Sequence, residues 1–377
     1  MIETAQIFTD FGPRYLELHG SAISQDQFNA FRDIVECRTP RLGGNIFYCD
    51  ACDEMHYSYH SCGNRHCPKC QNDSAEKWLQ AQYQRLLPTP YFMVTFTLPH
   101  SIHPIARANP NLIYNMLFQT AAQALQKLAA DPRFVGGTLG MVGVLHTWQR
   151  NLNYHPHVHF IATGGGLSAD QRRWKNASPK LLVHVKALSI IFRAKFRDEC
   201  QRQNLQRLID PQTWNKLWVV HCEPVGSGKA AFKYLAPYIF RVALSNNRIV
   251  RYDGENVTLR YIDSKTKKTA ARIMTALVFI QQFLQHVLPK RFVKVRYYGL
   301  LAAANKKLLE QARALLDAKA WKPESIQTKQ QIICPKCQRP MHWLASFRYQ
   351  GRGPPLSLKQ PQSLQNIVVF RNNIACV

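Results

Sequence analysis

The residues best placed to do chemistry lie in Tyr154-His155-Pro156-His157-Val158-His159-Phe160-Ile161. On an extended strand His157 and His159 project from the same face, while Val158 and Phe160 point to the other. A lone strand histidine is usually a hydrogen-bonded core residue. Packing alone has no use for several imidazoles on one face, so the alternation points to a metal. His146 stands in Val142-Gly143-Val144-Leu145-His146-Thr147-Trp148, a second strand-like run that could bring a third imidazole to the same point. Pro156 interrupts the ladder just before His157, which leaves His155 at the strand entrance and off the metal.

A second kind of chemistry is carried by cysteine. Cys49-Asp50-Ala51-Cys52 and Cys67-Pro68-Lys69-Cys70 are two C-x-x-C knuckles at near zinc-ribbon spacing, and together they offer four thiolates for a structural Zn²⁺. Cys37, Cys62 and His66 could form a second zinc site with His56 or His60 as the fourth ligand. They could equally be buried thiols and a surface histidine. Cys334-Pro335-Lys336-Cys337 is a lone knuckle with His342 nearby, half a site by ligand count. Arg65 and Lys69 flank the knuckles as candidate base-contacting cations.

Downstream, Tyr234 and Tyr238 in Lys233-Tyr234-Leu235-Ala236-Pro237-Tyr238 are four apart and share one helical face, although Pro237 can kink that helix. Tyrosines at this spacing usually pack in a core. The preceding Gly226-Ser227-Gly228-Lys229 is not a nucleotide-binding loop: the template wants glycine at Glu223 and serine or threonine at Ala230.

The elements that must position these groups are legible from periodicity. Residues 1 to about 36 read as helical, with Phe28, Phe31, Ile34 and Val35 on one face. Leu86-Leu87-Pro88-Thr89-Pro90 reads as a linker. Strands are expected at Tyr91–Leu98 and Leu217–Cys222, around the two histidine strands. Gly164-Gly165-Gly166 should end the second of these. Helices are expected at Asn111–Ala130 and Lys186–Gln201, a hairpin at Arg248–Asp263 turning at Asp253-Gly254, and a basic loop at Lys265–Lys268. A helix at Ala276–Leu288, a basic strand at Phe292–Tyr298 and a helix at Ala302–Leu316 follow. The divisions fall at 1–85 (helical and cysteine-rich), 86–245 (histidine sheet and tyrosine helix), 246–325 (basic α/β extension) and 326–377 (tail).

Lys and Arg number 49 against 23 Asp and Glu, a net charge of +26 over 377 residues. That excess implies a polyanionic partner, most simply nucleic acid. No apolar run is long enough for a membrane span and the opening residues lack a secretory pattern, so a soluble, intracellular protein is expected, with metal-bound cysteines rather than disulfides.

The cysteine-rich front, His-Thr-Trp and His-Pro-His-Val-His on successive strands, and Lys-Tyr-Leu-Ala-Pro-Tyr downstream resemble the two-tyrosine HUH rolling-circle transposases of the insertion-sequence "ninety-one" family. The resemblance runs from about Cys37 to Tyr298, with the motifs in the family's order. It implies an α+β fold: an HUH endonuclease domain, an antiparallel sheet flanked by helices, behind an N-terminal zinc-binding module. It further implies that His146, His157 and His159 hold a catalytic Mg²⁺ or Mn²⁺, and that Tyr234 and Tyr238 are paired nucleophiles. Cys49, Cys52, Cys67 and Cys70 fall on the zinc motif, as do Cys37, Cys62 and His66. Where many relatives have Gly-Gly-His, this chain has Gly43-Gly44-Asn45, so a second zinc would need His60. The partner implied is single-stranded or hairpin DNA at element ends, met by Arg65, Lys69, Lys229, Lys233 and Arg241 in a bacterial, nucleoid-associated cytoplasmic setting. A relaxase or rolling-circle replication initiator shares the chemistry, but commonly lacks the front zinc module. A non-catalytic zinc-dependent DNA-binding protein leaves His157 and His159 unexplained. A metallo-β-lactamase-like hydrolase wants Asp-His where Phe160-Ile161 stands.

Overall fold

The computed structural model describes residues 2–70, 78–79, 82–83, 85–228, 230, 232–233, 243–263, 266–318, 331–349 and 367–370. Helices flank antiparallel sheets throughout, so the α+β class expected from the motifs is the observed one. No described helix is long and apolar enough to cross a membrane.

Two helices come first, α1 (Thr4–His19) and α2 (Gln25–Glu36). Ser24 caps α2 reciprocally with Gln27: the Gln27 N–H donates to Ser24 Oγ at 3.3 Å, and the Ser24 N–H donates to Gln27 Oε1 at 2.8 Å. Phe31 and Ile34 are buried as their spacing requires, while Phe28 stays exposed. The hairpin of β1 (Gly44–Cys49) and β2 (Glu54–Tyr59) follows.

The central sheet is built from β3 (Pro90–Thr97), β4 (Thr138–Trp148), β5 (Tyr154–Leu167), β6 (Trp174–Asn176), β7 (Val220–Ser227) and β11 (Val295–Gly299). Its order is β11-β4-β5-β3-β7 with β6 on β5, and every pairing is antiparallel. A short helix α3 (His103–Ala108) leads into α4 (Pro110–Ala129), and α4 covers one sheet face together with α5 (Val185–Arg202). Val158, Phe160 and Ala162 of β5 enter this core, where Phe96 meets Phe160 and Phe192 edge-on at 5.9 and 5.0 Å. The alternate residues His157, His159 and Ile161 are thereby turned to the opposite face.

A second core joins α1 and α2 to α6 (Ala276–Leu284) and to a three-stranded antiparallel sheet. Its strands are β8 (Ile249–Tyr252), β9 (Asn256–Ile262) and β10 (Thr269–Thr275). β11, from the stretch read as a basic extension, is the edge strand of the central sheet. After it come α7 (Lys306–Leu315), β12 (His342–Tyr349) and β13 (Ile367–Phe370). The last two strands pair with the first hairpin in the order β13-β12-β1-β2.

Three local expectations change. Gly164–Gly166 do not end β5: a Cβ on Gly165 would come 2.6 Å from the Trp174 ring nitrogen, so glycine there admits β6 beside β5. Leu217–Val219 lie before β7, because Trp218 packs on Phe192 and Phe196 and donates to the Thr213 carbonyl at 3.1 Å. Thr269–Thr275 is a strand that periodicity misses, since it buries only Met274.

Candidate active site and zinc-binding module

In the β4–β5 register His146 lies directly opposite His157. With His159 these rings form one group, at centroid separations of 5.3, 4.8 and 4.8 Å, with ligand atoms all within 4.8 Å of one another. All three rings therefore stand on one side of the sheet, as the alternation requires. His155 is outside the group, facing His100 and His103.

The hydrogen bonds select which nitrogens face the centre. His157 Nδ1–H donates to the His155 carbonyl at 2.7 Å, which leaves Nε2 as its lone-pair atom. His159 Nδ1 is held by the Thr95 hydroxyl at 2.8 Å from the neighbouring strand. Partners of this kind orient metal-binding imidazoles. Burial pushes His159 down to about 4. Burial, then the neighbouring His159 ring, hold His157 well below the ordinary histidine range against the opposing pull of the His155 carbonyl. Neutral imidazoles are what a metal requires. His146 is buried, while His157 and His159 keep some exposure.

Around the triad, Trp148 stacks on His146 at 4.9 Å, and the Lys294 ammonium lies 5.0 Å over the Trp148 ring. Burial pushes Lys294 down to about 7. Phe232 packs on the histidine-bearing face with Val142, Val144 and Ile161, its ring 6.2 Å from Tyr91 and 5.9 Å from Trp78. Tyr234 and Tyr238 lie outside the described residues, as do Lys229 and Arg241.

The cysteines assemble differently from the expectation. Cys49 and Cys52 do not share a centre with Cys67 and Cys70. One group is Cys37, Cys62, Cys67 and Cys70; the other is Cys49, Cys52, Cys334 and Cys337. Sulfur separations of 3.4 Å (Cys37–Cys70) and 3.5 Å (Cys62–Cys70) are near the ~3.8 Å edge of a tetrahedral four-thiolate zinc centre. All ten described cysteines are free thiols. His66, expected beside Cys37 and Cys62, is not in their group: Cys67 and Cys70 complete it, and His66 Nε2 accepts the Leu288 N–H at 3.2 Å. His56 and His60 are exposed and outside both groups. Asn45, where the resemblance implies a zinc-binding histidine, ties β1 to β12 by accepting from Ser346 Oγ and Trp343 Nε1 at 2.7 and 3.3 Å.

Comparison with known proteins gives this arrangement a context. Residues 7–98 match a "Transposase zinc-binding domain" and residues 140–308 a "Putative transposase" domain. The chain is 36% identical over 347 residues to "Putative transposase y4qJ" of Sinorhizobium fredii (strain NBRC 101917 / NGR234), covering 86% of this chain and 87% of that protein. It is 30% identical over 290 residues to the "Transposase for insertion sequence element IS801" of Pseudomonas savastanoi pv. phaseolicola, covering 71% of this chain and 68% of the relative. The chain belongs to the IS91 family of transposases. No solved structure matches it.

Within this transposase, two cations read as DNA contacts already have partners in the fold. Arg65 donates at 2.6 Å to the carbonyls of both Phe292 and Pro289, fastening the zinc-binding module to the segment after α6. Lys69 pairs with Glu3 at 2.6 Å. Lys233 is exposed, as a DNA contact needs to be. Sequence reasoning missed Thr95, whose only signal is a hydroxyl on an apolar strand. It also missed the Cys49/Cys52 pairing with Cys334/Cys337, which no local spacing encodes.

Proposed function

We propose that this transposase works as a two-tyrosine HUH enzyme, cleaving and rejoining single-stranded DNA at element ends through a 5′-phosphotyrosine on Tyr234 or Tyr238. The observation that carries the reading is the clustering of His146, His157 and His159 on one sheet face, with their ligand atoms within 4.8 Å of one another. Phe232 supports it, since it packs on that same face two residues before Tyr234. Mg²⁺ or Mn²⁺ held by the three imidazoles would supply Lewis-acid stabilisation of charge on the scissile phosphate.

The chain's own residues do the rest. A tyrosine oxygen, having given up its proton, attacks phosphorus; the bond to the 3′ oxygen breaks, and that oxygen takes up a proton as a free 3′-OH. The phosphotyrosine retains the bond energy, so a 3′-OH from the joining strand can reverse the step and regenerate the phenol. A second tyrosine lets one hold the donor end while the other opens the target. Lys229, Lys233 and Arg241 lie beside these tyrosines in sequence and are assigned to the phosphates of the bound strand, with further grip from the net positive charge. The zinc of the family's zinc-binding domain is assigned to Cys37, Cys62, Cys67 and Cys70, which replace the set expected from spacing.

The test is divalent-dependent nicking of single-stranded oligonucleotides carrying element ends. His157→Ala and the Tyr234→Phe, Tyr238→Phe double variant should both lose cleavage on the order of 10³-fold or more, as removal of Lewis-acid or nucleophilic machinery does. Undiminished cleavage by the tyrosine double variant would refute the proposal.

A further inference from the structure

Cys334 and Cys337 fall outside both matched domains, which cover residues 7–98 and 140–308. In the fold they stand against Cys49 and Cys52, with Cys49 Sγ 3.5 Å from Cys337 Sγ across 288 residues of sequence. Four further observations show two matched halves of one ribbon. The residue after each knuckle takes the same left-handed turn, Asp53 at φ 53° and Gln338 at φ 60°, which lets the chain reverse tightly behind the second sulfur. β1 runs into the first knuckle and pairs with β12 just beyond the second, Tyr48 opposite His342. Side-chain contacts then link the two knuckles: Lys336 pairs with Glu54 at 2.7 Å, and His342 Nε2 lies 3.1 Å from Asp50 Oδ2. Between them Cys49, Cys334 and Met341 are buried in a small core with Phe47.

We propose that Cys49, Cys52, Cys334 and Cys337 bind a second structural Zn²⁺, forming a zinc ribbon split in sequence, with one knuckle before the catalytic sheet and the other after it. Four thiolates, no histidine and no open position describe a closed structural site and select Zn²⁺ over the harder ions expected at the histidines. The consequence is architectural. The zinc-binding module is not complete within residues 7–98: half the ligands of one of its two centres, and the strand β12 that flanks β1, come from residues 331–349. The proposal is independent of the tyrosine mechanism.

Zinc analysis of the purified full chain tests it. The wild type should carry about two zinc ions per chain. Cys334→Ser/Cys337→Ser and Cys49→Ser/Cys52→Ser should each carry about one, and the variant combining all four changes should still carry about one, because both pairs serve the same ion. Adding Cys37→Ser/Cys62→Ser to Cys334→Ser/Cys337→Ser should remove both. Two zinc ions in Cys334→Ser/Cys337→Ser, or none in Cys49→Ser/Cys52→Ser alone, would overturn the assignment. A wild-type measurement covers variants that fail to fold. As a chelator is titrated, Cys49, Cys52, Cys334 and Cys337 should become open to alkylation together. Free alkylation of Cys334 and Cys337 while Cys49 and Cys52 stay protected would contradict a shared ion.

Discussion

Replacing Thr95 by valine removes one oxygen and leaves the backbone of β3 untouched. That oxygen lies 2.8 Å from His159 Nδ1 and fixes both the tilt of the ring and the nitrogen it turns to the centre. Valine keeps the volume and the β-branch, so β3 should remain paired with β5 in the register that sets Thr95 opposite His159. Loss of a hydrogen bond to a buried imidazole costs about 1–3 kcal/mol. Expressed through metal affinity, the removal of such an orienting partner typically amounts to about 10–100-fold. The assay is the rate of oligonucleotide cleavage as Mn²⁺ is titrated. The half-saturating Mn²⁺ concentration should rise by that factor, with most of the rate recovered at saturating metal. A metal dependence identical to wild type would show that Thr95 does not hold His159 for an ion.

Other expectations follow from the same geometry. Gly143→Ala puts a Cβ 2.6 Å from the Phe160 ring and 3.1 Å from that of Phe118; overpacking of this kind should cost about 1–3 kcal/mol in chemical denaturation, and a neutral result would mean that the core yields there. Burial holds His286 down to about 4, against 6.5 for a free imidazole. Between those values the unfolded chain binds the extra proton, so stability should be full above about pH 6.5 and fall as pH drops toward 4, by about 3 kcal/mol for this group. His286→Gln, which can still donate to the Leu152 carbonyl and accept from Thr147, should flatten that decline, and an unchanged pH profile would assign it elsewhere. With a net charge of +26, affinity for single-stranded DNA should drop roughly a hundredfold or more between about 50 and 200 mM salt, and a flat response would exclude a phosphate-dominated grip.

Much of the histidine-bearing face could be read from residue order because strands alternate with a period of two. His157 and His159 had to share a side, and Val158 and Phe160 had to share the other, whatever the surroundings. The partner strand was legible for the same reason, from the apolar run before His146. The cysteines show where local reading stops. Each C-x-x-C knuckle presents two thiolates and has no memory of which other knuckle it will meet, so proximity in sequence favoured Cys49/Cys52 with Cys67/Cys70. Strand pairing between β1 and β12 decided otherwise. Charge is equally blind: Arg65 and Lys69 look alike in sequence, but Arg65 is engaged by backbone carbonyls within the fold, while Lys69 pairs with the partly exposed Glu3. The glycines of β5 read as a stop because a close approach by Trp174 leaves no trace in local pattern.

The most direct test of the central claim is mass spectrometry of the covalent adduct formed on single-stranded element-end DNA. The account predicts a tryptic peptide containing Tyr234 or Tyr238 esterified to the 5′-phosphate of the downstream fragment, formed only with Mg²⁺ or Mn²⁺ and absent in His157→Ala. Cleavage without an adduct, or an adduct carried on the 3′ side or on another residue, would contradict it.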